Sequence, residues 1–143
     1  MKAESQFFDM SAVDINQLHQ ARGWQQKYKL LLRWGKLIQP DCAIRIDEFK
    51  LNACEANTWV ECTKLLENSD PILTIRFDSE SSVVKGLGIL ILYHCHGKSI
   101  EAVRDFDLDG LMTDLQLTSH LSPSRVNGFL SLWTAVKSFC EHH

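Results

Sequence analysis

Several features are missing from this sequence of 143 residues, and each absence excludes a class of protein. The strongest apolar run, residues 86–93, is far shorter than the roughly 20 residues that a membrane-spanning helix needs. The formal net charge of −3 argues against a nucleic-acid-binding protein, which usually shows a basic stripe. No Cys-x-x-Cys pair occurs, so we expect no structural metal site. The first residues include Glu4 and Asp9 and lack a basic and then apolar leader, so we expect no secretory signal.

The composition fits one globular domain over residues 1–143. Hydrophobic residues make up 45% of the chain, an ordinary share for a protein with one core. No repeat, linker or low-complexity stretch divides the sequence. The cysteines are odd in number and widely scattered, which fits a reducing cytoplasm better than a disulfide framework. They lie at positions 42, 54, 62, 95 and 140.

Helical segments are marked by apolar spacing and by capping residues. A capping sequence at Ser11–Asp14 predicts a short first helix, and a second apolar stripe begins at Trp24 and stops near Pro40. Val83–Cys95 is apolar nearly all round, which predicts a buried central helix with its N-cap at residues 78–79. Further N-caps are predicted at Ser99, Asp107 and Ser122, the last followed by Pro123 at the first position of a long terminal helix.

Three short segments in the middle of the chain have the character of strands. Phe49–Leu51 and Thr58–Cys62 contain aromatic and β-branched residues, and Ile72–Asp78 alternates between two faces. Short turns join the three segments, which predicts an antiparallel meander. The expected fold class is therefore α+β, with a small three-stranded antiparallel sheet packed against helices from both ends of the chain.

Cys54 lies in the polar, small-residue segment Asn52–Asn57 between the first two predicted strands. We interpret this segment as a loop, here called the cysteine loop, in which Cys54 is accessible. Glu55 beside the thiol should disfavour the thiolate, whereas Lys50 could favour it. The remaining cysteines are interpreted as packing residues, since a free cysteine behaves as a small hydrophobe.

The cysteine loop resembles that of the SufE family, whose members carry a cysteine followed by polar residues and a nearby Val-Trp. Ala53-Cys54-Glu55-Ala56-Asn57-Thr58-Trp59 resembles this pattern, with Thr58 before Trp59 and with alanine at positions 53 and 56 where the family usually has Gly and a polar residue. Three further blocks agree in order, and the resemblance covers roughly residues 24–136. They are the helix with Trp24, Lys27 and Tyr28, the junction Asp78-Ser79-Glu80 with Val84-Lys85-Gly86-Leu87, and Leu121-Ser122-Pro123-Ser124-Arg125 with Gly128.

The resemblance implies a sulfur acceptor that takes persulfide sulfur from a cysteine desulfurase onto Cys54 and stimulates that enzyme. It further implies relay of the sulfur to Fe–S cluster assembly, through an acceptor such as a scaffold protein, or to another sulfur pathway. No cofactor is expected on this chain, because the pyridoxal phosphate belongs to the desulfurase. The Cys-Glu pair is closer to the CsdE branch of the family than to SufE proper. Supporting or partner-binding residues are expected at Glu55, Asn57, Trp59, Asp78 and Arg125.

Several of these residues also have plain structural interpretations. Trp59 is expected to anchor the core behind the loop, and Asp78 to cap a helix. Arg125 in a first helical turn is either a solvated cation or, by the resemblance, a residue near the cysteine loop or in desulfurase docking. His94 and His96 should point to separate faces of a helix, so a shared metal is not expected.

Two alternative functions remain open. In one, Cys54 is a spectator and the protein only activates a desulfurase. In the other, Cys54 is the nucleophile of a stand-alone thiol-dependent enzyme, with a base such as His94, His96 or His120.

Overall fold

A computed structural model describes residues 7–52, 56–67 and 70–143, and its centre is a helix buried on nearly every side. This helix, Ser82–Cys95, is α3 in a series of six. Its apolar sequence predicted the burial, and residues from Val84 to Leu92 confirm it. Ser81 caps α3, so the predicted cap at residues 78–79 is wrong, because the preceding strand continues through Ser79. The other helices are α1 Ile15–Gln20, α2 Gly23–Gly35, α4 Ile100–Asp105, α5 Leu108–Leu115 and α6 Pro123–His142.

The described sheet has two strands, not three. β1 (Thr58–Glu67) pairs antiparallel with β2 (Asp70–Ser79) in a register that sets Trp59 opposite Asp78. The predicted first strand, Phe49–Leu51, does not form, because a 3-10 turn occupies Asp47–Phe49 and the Lys50 N–H bonds back to the Asp47 carbonyl. Only an isolated bridge between Lys50 and Trp59 remains of it.

The helices cover the hairpin unequally. α3 and α4 pack against β2, α6 packs against β1, and α2 packs chiefly against α3. At the α2–α3 crossing the two backbones touch, since a Cβ on Gly86 would lie 2.4 Å from the Leu31 carbonyl oxygen. No helix among the described residues is long and apolar enough to cross a membrane.

The capping predictions in the C-terminal half are confirmed. The side chains of Ser99, Asp107 and Ser122 each accept a hydrogen bond from a backbone N–H in the first turn of α4, α5 and α6, respectively. Near the N-terminus, the cap of α1 is Asp14, because residues 10–12 form a separate 3-10 turn. These caps fix the residues at which the four helices begin.

Candidate functional site

The cysteine loop begins and ends at a neck that the structure describes, although Ala53, Cys54 and Glu55 themselves lie outside the described residues. The neck consists of residues 50–51 and 58–59. The Leu51 N–H donates to the Thr58 carbonyl at 2.8 Å, and the Lys50–Trp59 bridge lies directly below it. Two backbone contacts therefore bring the start and the end of the loop together.

The outgoing arm of the loop, residues 56–58, is bound to the end of β2. The Asn57 carbonyl accepts from the Glu80 N–H at 2.9 Å and from the Ser79 hydroxyl at 3.3 Å. The Asn57 side chain donates to the Glu80 carboxylate at 3.0 Å, and the Thr58 and Ser79 hydroxyls lie 2.9 Å apart. Asn57, a predicted supporting residue, thus tethers the loop through both its backbone and its side chain.

The incoming arm, residues 41–51, is bound to the same end of β2 through Asp78. One carboxylate oxygen of Asp78 accepts from the Asp41 N–H at 3.0 Å and from Nε of Arg45 at 2.8 Å. The other oxygen accepts from the Ser79 N–H at 2.8 Å, and Nζ of Lys85 lies 3.7 Å from it. Asp78 is fully buried, and its main role in this structure is to bind the incoming arm rather than to cap a helix.

The electrostatics favour this arrangement despite the burial. Burial alone would raise the pKa of the Asp78 carboxyl, but the Arg45 hydrogen bond and charge and the two backbone donors outweigh it and lower the pKa. The same hydrogen bond raises the pKa of the Arg45 guanidinium. The guanidinium also lies 4.8 Å from the centre of the Trp59 ring, a cation–π distance. Trp59 is 7% exposed, so its predicted burial in the core is confirmed.

Three consecutive residues, Asp78, Ser79 and Glu80, therefore hold both arms of the cysteine loop, and we call them the clamp. The sequence pointed to Asp78 but gave no sign of Arg45. Arg45 sits in an aperiodic connector, 33 residues from its partner. A second buried carboxylate, Asp41, receives two hydrogen bonds from Arg76, at 2.8 and 2.6 Å, which secures the connector to β2 a second time.

Arg125 is not part of the clamp. It is exposed in the first turn of α6, where its backbone N–H bonds to the Ser122 cap. Its side chain forms no ion pair with residues 7–52, 56–67 or 70–143.

A groove of about 600 Å³ lies between the neck and α6. The groove is lined by Leu51, Asn52, Asn127, Leu130, Ser131, Thr134, Ala135 and Ser138.

The described cysteines differ in their environments. Burial raises the pKa of the Cys62 and Cys95 thiols to about 12 and also raises that of Cys140, so these three remain protonated near neutral pH. Their predicted role as packing residues is confirmed. The same prediction is wrong for Cys42, which is exposed, because its short 3-10 turn directs only Ile44 into the core.

The histidines considered as bases have partners elsewhere in the fold. The His94 ring stacks on Phe106, and the His120 ring stacks on Trp24. Nδ1 of His96 accepts the Ile75 N–H at 3.0 Å. In the part of the chain that the structure describes, no three His, Cys, Asp or Glu side chains are grouped so as to hold a metal ion.

The matches of this chain to known proteins cover most of its length. The model of the SufE family, described as an Fe-S metabolism associated domain, matches residues 13–140. An uncharacterized SufE-like protein of Haemophilus influenzae is 24% identical over 127 residues, which cover 88% of this chain and 98% of that protein. One from Rhizobium meliloti is 28% identical over 120 residues, covering 82% and 85%. The solution structure of a hypothetical protein from Thermus thermophilus has a similar fold, with a TM-score of 0.64 at 18% identity, covering 88% and 90% of the two chains.

Proposed function

The chain belongs to the SufE family, which is associated with Fe–S metabolism, and on this premise we propose that it accepts sulfane sulfur from a cysteine desulfurase on Cys54. It stimulates the desulfurase by removing the product sulfur, and it then passes the sulfur to an acceptor such as an Fe–S scaffold protein. The pyridoxal phosphate that releases sulfur from cysteine belongs to the desulfurase. The reducing cytoplasm is the compartment that suits this chemistry.

The observation that carries this proposal is the clamp on both arms of the cysteine loop. A carrier thiol must reach into a partner's active site and return, which requires a short projecting segment on a fixed base. The buried Asp78 carboxylate and the hydrogen bonds of Asn57 form such a support for the loop. Neither side chain acts as a nucleophile. The contacts that form this support involve none of residues 53–55.

The chemistry of the other cysteines supports the same assignment. Transfer requires a thiolate, and protonated thiols are poor nucleophiles. Cys62, Cys95 and Cys140 have raised pKa values, so they do not compete for the persulfide near neutral pH. Cys42 is the exposed cysteine among the described residues and therefore the natural control.

The transfer step conserves electrons. The Cys54 thiolate attacks the outer sulfur of the desulfurase persulfide, the S–S bond of that persulfide breaks, and the desulfurase cysteine leaves as a thiolate. A new S–S bond joins Cys54 to the transferred sulfur, which keeps its proton. Attack by an acceptor thiolate on the outer sulfur of the Cys54 persulfide repeats the exchange and releases the Cys54 thiolate.

The test compares wild type with Cys54→Ser and Cys42→Ser in a mixture with a cysteine desulfurase and cysteine. Intact mass without reductant should show one added sulfur atom on wild type and on Cys42→Ser, and none on Cys54→Ser. Sulfide release with reductant should be faster with the first two proteins only. Stimulation by Cys54→Ser would instead indicate an activator that carries no sulfur. Sulfur on Cys42 and not on Cys54 would overturn the assignment.

A further inference from the structure

The exposed face of α2 carries a row of basic residues that neither the fold nor the clamp uses. Arg22, Lys29, Arg33 and Lys36 are all exposed, and we call them the basic row. Lys29, Arg33 and Lys36 are separated by four and three residues, which places them on one side of a 3.6-residue helix. Arg22 is the N-cap residue before the first turn, so the row extends over about 20 Å. The opposite side of α2 holds the buried Leu31 and Trp34.

The basic row has no internal counter-charge. The sequence of α2 contains no acidic residue, so the pairs at a spacing of four that usually neutralise a surface helix are absent. Within residues 7–52, 56–67 and 70–143, none of the four side chains forms an ion pair. The helix dipole favours cations at the C-terminal end, which accounts for Arg33 and Lys36 but opposes Arg22. Since the whole chain has a net charge of −3, the row is a segregated positive surface on an acidic protein.

We propose that the basic row is an electrostatic docking surface for a row of carboxylates on the cysteine desulfurase, an inference that rests on the proposed function. The C-terminal end of the row lies near the clamp. A Cβ on Gly35, the neighbour of Lys36, would lie 3.2 Å from the Lys85 Cβ. Nζ of Lys85 in turn lies 3.7 Å from the Asp78 carboxylate. A partner that engages the cysteine loop and lies along α2 therefore meets the positive charges in one continuous approach.

The structure favours a protein partner over the other polyanions. A membrane-surface helix inserts its apolar side into lipid, but the apolar side of α2 is buried against α3. Nucleic acid binds through many phosphate contacts, and the net negative charge of the remaining surface would repel it. An acidic patch on a folded protein, by contrast, has to be complementary in charge to the basic row alone. Complementary charges of this kind chiefly increase the association rate.

The experiment measures binding of the desulfurase, without cysteine, by the Cys54→Ser protein and by two further variants in that background. The first reverses the row with Lys29→Glu and Arg33→Glu. The second is a control with the same change in charge at exposed sites off the helix, Lys64→Glu and Lys98→Glu. Reversal of the row should lower the association rate about tenfold at low salt and leave the dissociation rate nearly unchanged. The control should change it far less, and the difference should vanish in high salt.

The outcomes separate the two proposals. Equal association rates for the row and control variants would overturn the docking surface, and sulfur transfer to wild type in parallel would leave the proposed function standing. Row-dependent binding without any sulfur on wild-type Cys54 would support the docking surface and contradict the carrier function. No binding of the desulfurase by any variant would overturn both. Binding of a duplex DNA probe by the Cys54→Ser protein as tightly as the desulfurase, lost both in high salt and in the row variant, would contradict the choice of partner.

Discussion

At the scale of single residues, the clamp shows how one buried carboxylate can hold one arm of a loop. Asp78 has no exposed surface, yet it accepts hydrogen bonds from two backbone N–H groups and one guanidinium. A buried charge of this kind is tolerated only because its donors replace the water that it lost. The loop above it therefore depends on a residue that does not touch the reacting sulfur in any proposed step.

We expect Asp78→Asn to destabilise the protein by about 2 kcal/mol. Loss of one partner from a buried pair costs about 3–5 kcal/mol, and we reduce this figure because the Arg45 side chain is 32% exposed and water recovers part of its solvation. In addition, the substitution replaces one carboxylate oxygen of residue 78 with an amide NH₂ group, which faces an N–H donor and cannot accept its hydrogen bond. Urea unfolding measures the change. Asp70→Asn, at an exposed site on the same strand, should stay within about 0.5 kcal/mol; equal effects at both sites would contradict the role given to Asp78.

The clamp and the residues bound to it were only partly predictable from sequence. Asp78 and Asn57 belong to motifs that could be recognised, whereas Arg45 is a single charged residue in a connector without period. Its role depends on a partner 33 residues away, a contact for which no local pattern exists. Asp78 was also expected to cap a helix, because an Asp-Ser pair before an apolar run is typical of a helix N-terminus when only the local sequence is considered.

At the scale of elements, the helices followed from the sequence better than the sheet did. Caps and apolar period are local signals. The predicted caps located the starts of α4, α5 and α6, and the apolar run located α3 although its predicted cap was wrong. Phe49–Leu51 has the composition of a strand, but strand composition does not supply a pairing partner. The preceding 3-10 turn leaves Lys50 in the extended state and reduces the third strand to one bridge.

The contact between α2 and α3 yields a prediction about glycine. Gly86→Ala should destabilise the protein by about 2–3 kcal/mol, because the new methyl group meets the Leu31 carbonyl, a backbone atom that cannot rotate away. Gly23→Ala provides the comparison. It introduces a side chain into open space and is opposed only by its φ of 77°, so about 1 kcal/mol is expected. Thermal unfolding of both variants would show whether steric overlap at residue 86 costs more stability than backbone strain at residue 23. A smaller loss of stability for Gly86→Ala than for Gly23→Ala would contradict the prediction.

At the scale of the whole molecule, stability should depend on pH through His94. Burial, followed by the charges of Lys98 and His19, lowers the pKa of His94, and its Nε2 has no hydrogen-bond partner in the described part of the chain. The native state therefore binds this proton less readily than the unfolded state does. Stability is complete above the unfolded pKa of about 6.5 and falls as the pH drops through that value towards the folded pKa.

Replacement of His94 by Phe should remove this part of the pH dependence. The new ring keeps the stack on Phe106, whose centre lies 4.9 Å from that of His94, and adds no buried polar atom. We expect the free energy of unfolding of His94→Phe to exceed that of wild type increasingly as the pH falls from 7.5 to 5.5. The measurement is urea unfolding across that range, with the exposed His143→Phe as control. Parallel pH curves for wild type and His94→Phe would contradict the assignment.

The neck below the cysteine loop has a consequence for protein engineering. The Leu51–Thr58 hydrogen bond and the clamp hold the two arms through residues that flank positions 53–55. The two arms therefore give the scaffold a pair of fixed attachment points, between which a different peptide segment could be inserted while the contacts of the neck and the clamp are kept.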